Sequence, residues 1–131
     1  GTKIQQIFAG NVTEKAKITA DSAIAQHPIT QAVDGMADTY WQAAYGQEFD
    51  TITLKFPKPQ KVSCVVLGEH LPTGQRIESG EIWADGSKVS EFTVVGHKRI
   101  CRFAPVEVLT LTIKITASRT EPTLRLLAVY Q

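Results

Sequence analysis

The sequence predicts an all-β domain, an antiparallel β-sandwich or jelly roll of about eight strands. Three observations support this prediction. Apolar and polar residues alternate with a period of two in several short segments, no segment carries the stripe of a long helix, and turn-forming residues separate the segments. With 131 residues, the chain has the length of one domain that can fold without a metal or a disulfide.

The predicted strands follow one another along the chain. The first candidate covers residues 16–20, and the alternation of Ile52, Leu54 and Phe56 with polar residues predicts the second. Pro57 and Pro59 are expected to end that second strand, because proline cannot donate a ladder hydrogen bond. The same reasoning predicts further strands at 61–68, 77–84, 88–94, 99–103, 109–116 and 124–130.

Turns and ends complete the predicted organisation. Asp85-Gly86 indicates a tight hairpin between two of the strands, since both residues tolerate positive φ. The best helical candidate is one short turn near residues 29–33. Residues 1–14 lack a clear pattern and are predicted to be a lead-in or tail, which leaves residues 15–131 as the domain.

Composition excludes several functions. A net charge of +1 gives no electrostatic case for nucleic acid, and no apolar run is long enough to span a bilayer. Cys64 and Cys101 lie in apolar strand segments and are expected to be buried, with a disulfide open only if the strands are neighbours. The carboxylates are scattered and no catalytic motif is present, which argues against an enzyme.

Two short pieces carry a family resemblance. Ala32-Val-Asp-Gly35 and Asp38-Thr-Tyr-Trp41 resemble the signature of the discoidin-type domain, also called the coagulation factor 5/8 C-terminal domain. This group shares the galactose-binding-domain-like fold and includes the family 32 carbohydrate-binding modules. The pieces at 67–77, 96–100 and 115–119 further resemble the C-terminal domain of bacterial family 29 α-L-fucosidases.

The resemblance implies a function. It favours a non-catalytic ancillary domain of a secreted or periplasmic bacterial glycoside hydrolase, an α-L-fucosidase, that packs on the catalytic domain. Strand alternation puts Trp83 on the face opposite Ile82 and Ala84, so Trp83 is a candidate interface residue. The alternative is a carbohydrate-binding module for galactose- or fucose-type glycans. A protein or lipid adhesion domain is less favoured, because the loops are short and polar.

The resemblance also implies a structural calcium site in the loop before Trp41. Relatives bind the ion with oxygens of one tight loop and a carboxylate on the closing strand. That last position falls at the apolar Leu126, beside Arg125, so the remote anion is missing. The alternative is that Asp34 and Thr39 only cap the loop. The candidate set is the side chains of Asp34 and Thr39, the carbonyls of Gln31 and Met36, and the closing-strand position at Arg125.

A sugar site is the third expectation from the resemblance. Galactose-binding relatives use a histidine after the signature tryptophan, an arginine in a later loop and an aromatic ring. Here Gln42 follows Trp41, and the structural alternative for Arg76 is pairing with Glu69 or Glu78. The candidate sugar contacts are Gln42, Tyr45, His70, Gln75 and Arg76.

Overall fold

A computed structural model describes residues 10–131, and this part of the chain contains eight strands. Short 3₁₀ helices cover Thr13–Lys15, Ile29–Ala32 and Leu71–Thr73. The strands are β1 (Lys17–Ala20), β2 (Trp41–Gln42), β3 (Asp50–Gly68), β4 (Ile77–Ala84), β5 (Ser87–Phe92), β6 (Arg99–Ser118), β7 (Thr123–Leu124) and β8 (Leu126–Tyr130). The predicted all-β antiparallel sandwich of about eight strands is confirmed.

Two long strands, β3 and β6, organise the sandwich. They pair with each other, and the strand order of this sheet is β1-β3-β6-β4-β5. Strand β8 pairs with β3 as well. Strand β2 pairs separately with β7. All of these pairings are antiparallel.

The predicted strand end at Pro57 and Pro59 is wrong. Both prolines lie inside β3, at the place where its pairing with β6 is interrupted between Lys55 and Gln60. A missing proline N–H costs no ladder bond at such an irregularity, so the strand passes through it. The segments predicted at 99–103 and 109–116 likewise join into β6, and the last predicted strand divides at Arg125 into β7 and β8.

The hairpin between β4 and β5 is confirmed. Asp85 has φ 48° and Gly86 has φ 86°, the pair of positive values that a type I′ turn requires. The Asp85 carboxylate also accepts hydrogen bonds from the N–H groups of Leu109 and Thr110, which attaches the turn to β6. The helical turn predicted near residues 29–33 is the 3₁₀ helix Ile29–Ala32.

One continuous core fills the sandwich, and Trp41 lies inside it with none of its surface exposed. The Trp41 indole N–H donates to the Ser22 carbonyl at 2.9 Å, and the Ser22 hydroxyl donates to Asp50 at 2.6 Å. Burial raises the pKa of Asp50, and the hydrogen bond from the Ser22 hydroxyl opposes that rise. The signature tryptophan is therefore a packing residue.

The two cysteines are free and buried on neighbouring strands. Cys101 pairs with Val65, and both belong to the main core. Cys64, one residue earlier, belongs to a separate small cluster on the outer face of the same sheet. Side chains on opposite faces of a sheet cannot be bridged, so the two thiols do not form a disulfide.

The domain boundary predicted after residue 14 stays a prediction, since residues 1–9 lie outside the described residues. The described part of the predicted lead-in contacts the sandwich. Val12 is buried in the core, and its N–H donates to the Val129 carbonyl at 2.9 Å. Asn11 forms an isolated antiparallel bridge with Tyr130.

A fully buried carboxylate, that of Glu69, fixes the loops at one end of the sandwich. One of its oxygens accepts the N–H groups of Arg76 at 2.6 Å and Ile77 at 2.9 Å. The other oxygen accepts the N–H of Gly96 at 2.7 Å. Three backbone donors therefore replace water around this anion and hold the loop after β3 against the loop before β6.

We expect Glu69→Gln to destabilise the fold by about 2–3 kcal/mol, because the new NH₂ group faces a backbone N–H donor and leaves it unsatisfied. Urea unfolding measures the change. Glu78→Gln is the matched control, since Glu78 is exposed on β4 and loses the same charge. Equal free energies of unfolding for the two variants would contradict this role of Glu69.

Candidate functional site

The loops at the Glu69 end of the sandwich converge into one surface. The His70 N–H donates to the Thr123 hydroxyl at 3.1 Å, which joins the loop after β3 to β7. The Gly46 N–H donates to the Glu121 carboxylate at 3.0 Å, which joins the loop after β2 to the loop before β7. We call this surface, formed by residues 43–49, 69–76, 93–98 and 119–125 with the rings of His27 and Tyr40, the loop end.

Three aromatic rings stack at the loop end. The ring of Tyr40 lies between His27 and His70, with centroid separations of 3.8 and 3.7 Å and interplanar angles of 18° and 10°. Gln31 orients the outer imidazole, because its side-chain oxygen lies 2.9 Å from His27 Nδ1. Both faces of Tyr40 are therefore covered by other rings, and Tyr40 serves to hold the two histidines in place.

Glu121 links the loop that carries Tyr45 to Arg76. The Tyr45 side chain is 78% exposed, and the next residue, Gly46, donates to the Glu121 carboxylate. Arg76 in turn donates from Nη1 to the Glu121 carbonyl at 2.8 Å. The Arg76 Nε also donates to the Thr73 carbonyl at 3.3 Å, so the guanidinium is anchored on both sides. The arrangement connects the loop that carries the exposed Tyr45 to the anchored Arg76.

The charges around His70 are basic. Burial lowers the pKa of His70, and the charges of His27, Arg125 and Arg76 lower it further, because each disfavours a second positive charge. Arg125 contacts the neighbouring loop, where its Nη2 donates to the His97 carbonyl at 2.6 Å. His70 is therefore biased toward its neutral form.

The structure brings together three of the five predicted sugar contacts, Tyr45, His70 and Arg76. Gln75 is exposed and lies against Gly96. The remaining residue, Gln42, is a correction: its pairing with Thr123 on β7 leaves it only 8% exposed, too little surface for a sugar. Arg76 does not pair with Glu69 through its guanidinium; its backbone N–H makes that contact.

Three residues of the site escaped sequence reasoning. His27, Tyr40 and Glu121 occupy separate loops and meet only through the ring stack and the Gly46–Glu121–Arg76 contacts. Tyr40 belongs to the signature piece beside Trp41, so its position was a usable signal. No spacing in the sequence links His27 or Glu121 to it.

The loop before Trp41 collects the oxygens predicted for a cation. The Thr39 hydroxyl donates to Asp34 Oδ2 at 2.6 Å and also lies 3.4 Å from the Met36 carbonyl and 3.5 Å from the Gln31 carbonyl. One hydroxyl proton satisfies one acceptor, so the short contact to Asp34 is the hydrogen bond, and the other Asp34 oxygen accepts the Met36 N–H at 2.9 Å. Arg125 contributes no anion to this group and instead contacts His97.

The predicted interface residue Trp83 is half-buried. Lys114 Nζ lies 4.3 Å from the centroid of its ring, and its indole N–H donates to Glu81 at 3.0 Å. Ile82 and Ala84 are buried on the opposite face, as the strand alternation predicted. Trp83 therefore has polar partners within its own sheet.

Two features are absent from the described residues, 10–131: a cluster of metal-binding side chains and a membrane-spanning helix. Within that range, no three His, Cys, Asp or Glu side chains group in a way that would hold a metal ion. No helix in the same range is long and apolar enough to cross a membrane.

Solved structures with similar folds belong to glycan-related proteins. A Ruminococcus gnavus family 29 fucosidase in complex with fucose matches 99% of this chain at 22% identity and a TM-score of 0.86, although the chain covers only 28% of that protein. A chitosan-binding module from a Paenibacillus sp. IK-5 chitosanase/glucanase, in complex with chitotriose, matches 92% of the chain at 21% identity and a TM-score of 0.81. The chain covers 100% of that module.

A third neighbour is a pair of CBM32 domains from Clostridium perfringens ZmpB, with a TM-score of 0.74 and 20% identity over 91% of this chain and 35% of that one. These neighbours confirm the discoidin-like fold that the signature pieces predicted. A search of curated proteins found no match. A family profile described as a domain of unknown function, DUF7402, matches residues 11–124. The chain therefore belongs to the DUF7402 family.

Proposed function

We propose that this domain is a non-catalytic accessory module of a secreted bacterial glycoside hydrolase of the α-L-fucosidase type, and that its loop end contacts the glycan. The observation that carries the proposal is one loop surface that holds both the exposed ring of Tyr45 and the anchored guanidinium of Arg76, with Glu121 joining the two loops. An aromatic face packs on the C–H groups of a sugar, while fixed N–H donors bind its hydroxyls. Structural neighbours that are fucosidases or glycan-binding modules support the same conclusion.

The rigidity of the loop end supports binding. His70 is held by the stack with Tyr40 and by its N–H bond to Thr123, and Arg76 is held by the Thr73 and Glu121 carbonyls. Side chains that are already fixed lose little conformational entropy when a ligand binds. The module would therefore bind without rearranging its backbone, and it would contribute no catalytic group.

We expect Tyr45→Ala and Arg76→Ala each to weaken glycan binding about tenfold, since one such contact is worth roughly 1 kcal/mol or more. An NMR titration of the ¹⁵N-labelled chain with galactose-, fucose- and N-acetylgalactosamine-containing oligosaccharides measures the affinity. Leu109→Ala is the control, because Leu109 is an exposed apolar side chain, at 45%, on β6 and outside the loop end. Flat spectra for the unmodified chain, or equal losses in all three variants, would contradict the proposal.

A second candidate function is packing on a catalytic domain, and the outer face of β3, β6 and β8 favours it. Val66 and Ala128 lie there under Leu126 and Tyr130, and Ile100 is 44% exposed at the edge of a shallow depression of about 310 Å³. An apolar sheet face of this kind is suited to covering by another domain. The two functions use different surfaces and are compatible.

For this second candidate, Ile100→Asp is the informative change. The free energy of unfolding of the chain alone should fall by less than about 1 kcal/mol, because Ile100 is largely exposed. In a hydrolase that carries the domain, the same change should lower the unfolding temperature of the catalytic domain, as measured by calorimetry. Lys88→Asp on β5 is the control. An unchanged calorimetric profile of the hydrolase would rule out this packing face.

We also propose that the loop before Trp41 binds calcium through Asp34, Thr39 and the carbonyls of Gln31 and Met36. Three oxygens, of Gln31, Asp34 and Met36, lie within 3.5 Å of the Thr39 hydroxyl oxygen, and this grouping supports the site. Only Asp34 supplies a formal negative charge, so the affinity should be at the weak end of the range for extracellular modules, a Kd of about 10⁻³ M.

At about 10 mM calcium, such a site should raise the free energy of unfolding by about 1.4 kcal/mol relative to EDTA. Thermal unfolding in the two buffers measures the effect. Asp34→Ala should remove the calcium dependence, and Asp38→Ala, in the same loop, should retain it. Identical unfolding of the unmodified chain in calcium and in EDTA would show that Asp34 and Thr39 only close the loop.

A further inference from the structure

We infer that the loop end selects acidic glycans, whose carboxylate or sulfate group would contact Arg125 beside His97 and His70. This inference rests on the proposed glycan binding and names the class of sugar that the site prefers. It starts from the pairing of the charged groups at the loop end, where Arg125 has no acidic partner among the described residues. Binding of a neutral sugar would not require such an unpaired cation.

Two of the three arginines of the loop end, Arg76 and Arg125, bind backbone carbonyls. Arg125 Nη2 donates to the His97 carbonyl at 2.6 Å and lies 3.4 Å from His97 Nδ1, while Arg76 donates to the Thr73 and Glu121 carbonyls. A carbonyl satisfies an N–H group but leaves the positive charge of the guanidinium uncompensated. A guanidinium has five N–H donors, so donors of each arginine remain for a ligand.

Two of the three acids of the loop end, Glu69 and Glu121, are engaged by other groups; the third, Glu48, is exposed. Glu69 is fully buried and accepts three backbone N–H groups. The Glu121 carboxylate accepts the Gly46 N–H and the Thr120 hydroxyl, and these bonds, with the charge of Arg76, lower its pKa. Glu121 therefore partly offsets the charge of Arg76, but no such acid contacts Arg125 in the described part of the chain.

Ion pairs confirm this distribution of charge. Among residues 10–131, they join Lys88 only, to Glu81 at 3.8 Å and to Glu91 at 3.7 Å, away from the loop end on β4 and β5. The groups that act electrostatically on His70 are all basic, namely His27, Arg125 and Arg76. The loop end holds Arg76, Lys98, Arg119 and Arg125 against Glu48, Glu69 and Glu121, and the charged groups that act on His70 are the basic ones.

An acidic sugar supplies what this surface lacks. Arginine binds a carboxylate or a sulfate through two parallel N–H donors, and such charged hydrogen bonds are roughly twice as strong as neutral ones. The His97 carbonyl holds the Arg125 guanidinium, which also packs closely against Gly68. A Cβ atom added at Gly68 would lie only 3.1 Å from Arg125 Nη2. The orientation of the guanidinium is therefore fixed before a ligand binds. A protonated polyamine sugar such as chitosan should be repelled.

The test compares galactose derivatives whose C6 group is neutral or acidic. Isothermal titration of the chain with β-methyl galactoside, β-methyl galacturonide and galactose 6-sulfate, in buffer of about 20 mM salt, should show that the acidic sugars bind about tenfold more tightly. The preference should shrink in about 0.5 M salt, where the Debye length falls below about 5 Å. Preference for galacturonide or for the sulfate would identify which acid the site takes.

Variants assign the effect to Arg125. Arg125→Gln should bring the affinity ratio of acidic to neutral sugar close to one. Arg125→Lys should retain part of the preference for acidic sugars, because lysine keeps the positive charge but lacks the two parallel N–H donors of arginine. Lys88→Gln, which removes a distant cation, is the control. NMR spectra of each variant establish that it is folded.

The outcomes separate the two proposals. Equal binding of neutral and acidic sugars by the unmodified chain would overturn the preference and leave glycan binding in place. A preference that survives Arg125→Gln would overturn the assignment to Arg125. An absence of heat for all three sugars, with flat NMR titrations, would overturn glycan binding itself and the preference with it.

Discussion

The Glu69 carboxylate is the constraint on which the loop end depends. A buried anion is costly unless strong donors surround it, and here the donors are backbone N–H groups from two separate loops. If the loop from His70 to Arg76 moved away from the loop around Gly96, the Glu69 carboxylate would lose hydrogen-bond donors or become exposed to solvent. This coupling fixes His70 and Arg76 relative to Arg125, because Arg125 is itself bound to the His97 carbonyl.

The long strands β3 and β6 provide the rigid base under these loops. Their pairing runs from Asp50 opposite Ile115 to Leu67 opposite Arg99, and it is interrupted only where β3 changes register. Most stabilising contacts in this fold therefore join residues that are far apart in the sequence. A domain of this topology is expected to fold slowly compared with a helical bundle, because long loops close before the pairing forms.

Sequence patterns predicted the parts of the fold that depend on local chemistry. Alternation located β4 at residues 77–84, and Asp85-Gly86 predicted the hairpin because positive φ is a local property. Pro57 and Pro59 were misjudged because their effect depends on whether the partner strand needs an N–H there, which only the register decides. The division of β7 from β8 at Arg125 also depends on strand pairing, since β7 pairs with β2 and β8 pairs with β3.

The candidate site was predicted less completely, for a physical reason. Tyr45, His70 and Arg76 could be proposed from the family resemblance, but Gln42 could not be recognised as buried without its pairing to β7. The stack of His27, Tyr40 and His70 joins three loops that no sequence period connects. The charge balance at Arg125 depends on which acids are already bound to backbone N–H groups, and this is a property of the folded chain alone.

The bridge between Asn11 and Tyr130 determines how the domain would be tethered. In an antiparallel pair, the chain before Asn11 and the chain after Tyr130 leave in the same direction. Strand β8 separates that exit from Arg125 by roughly 17 Å, the length of five extended residues. A covalent neighbour attached on either side would therefore join the domain at the end of β8 that is away from Arg125.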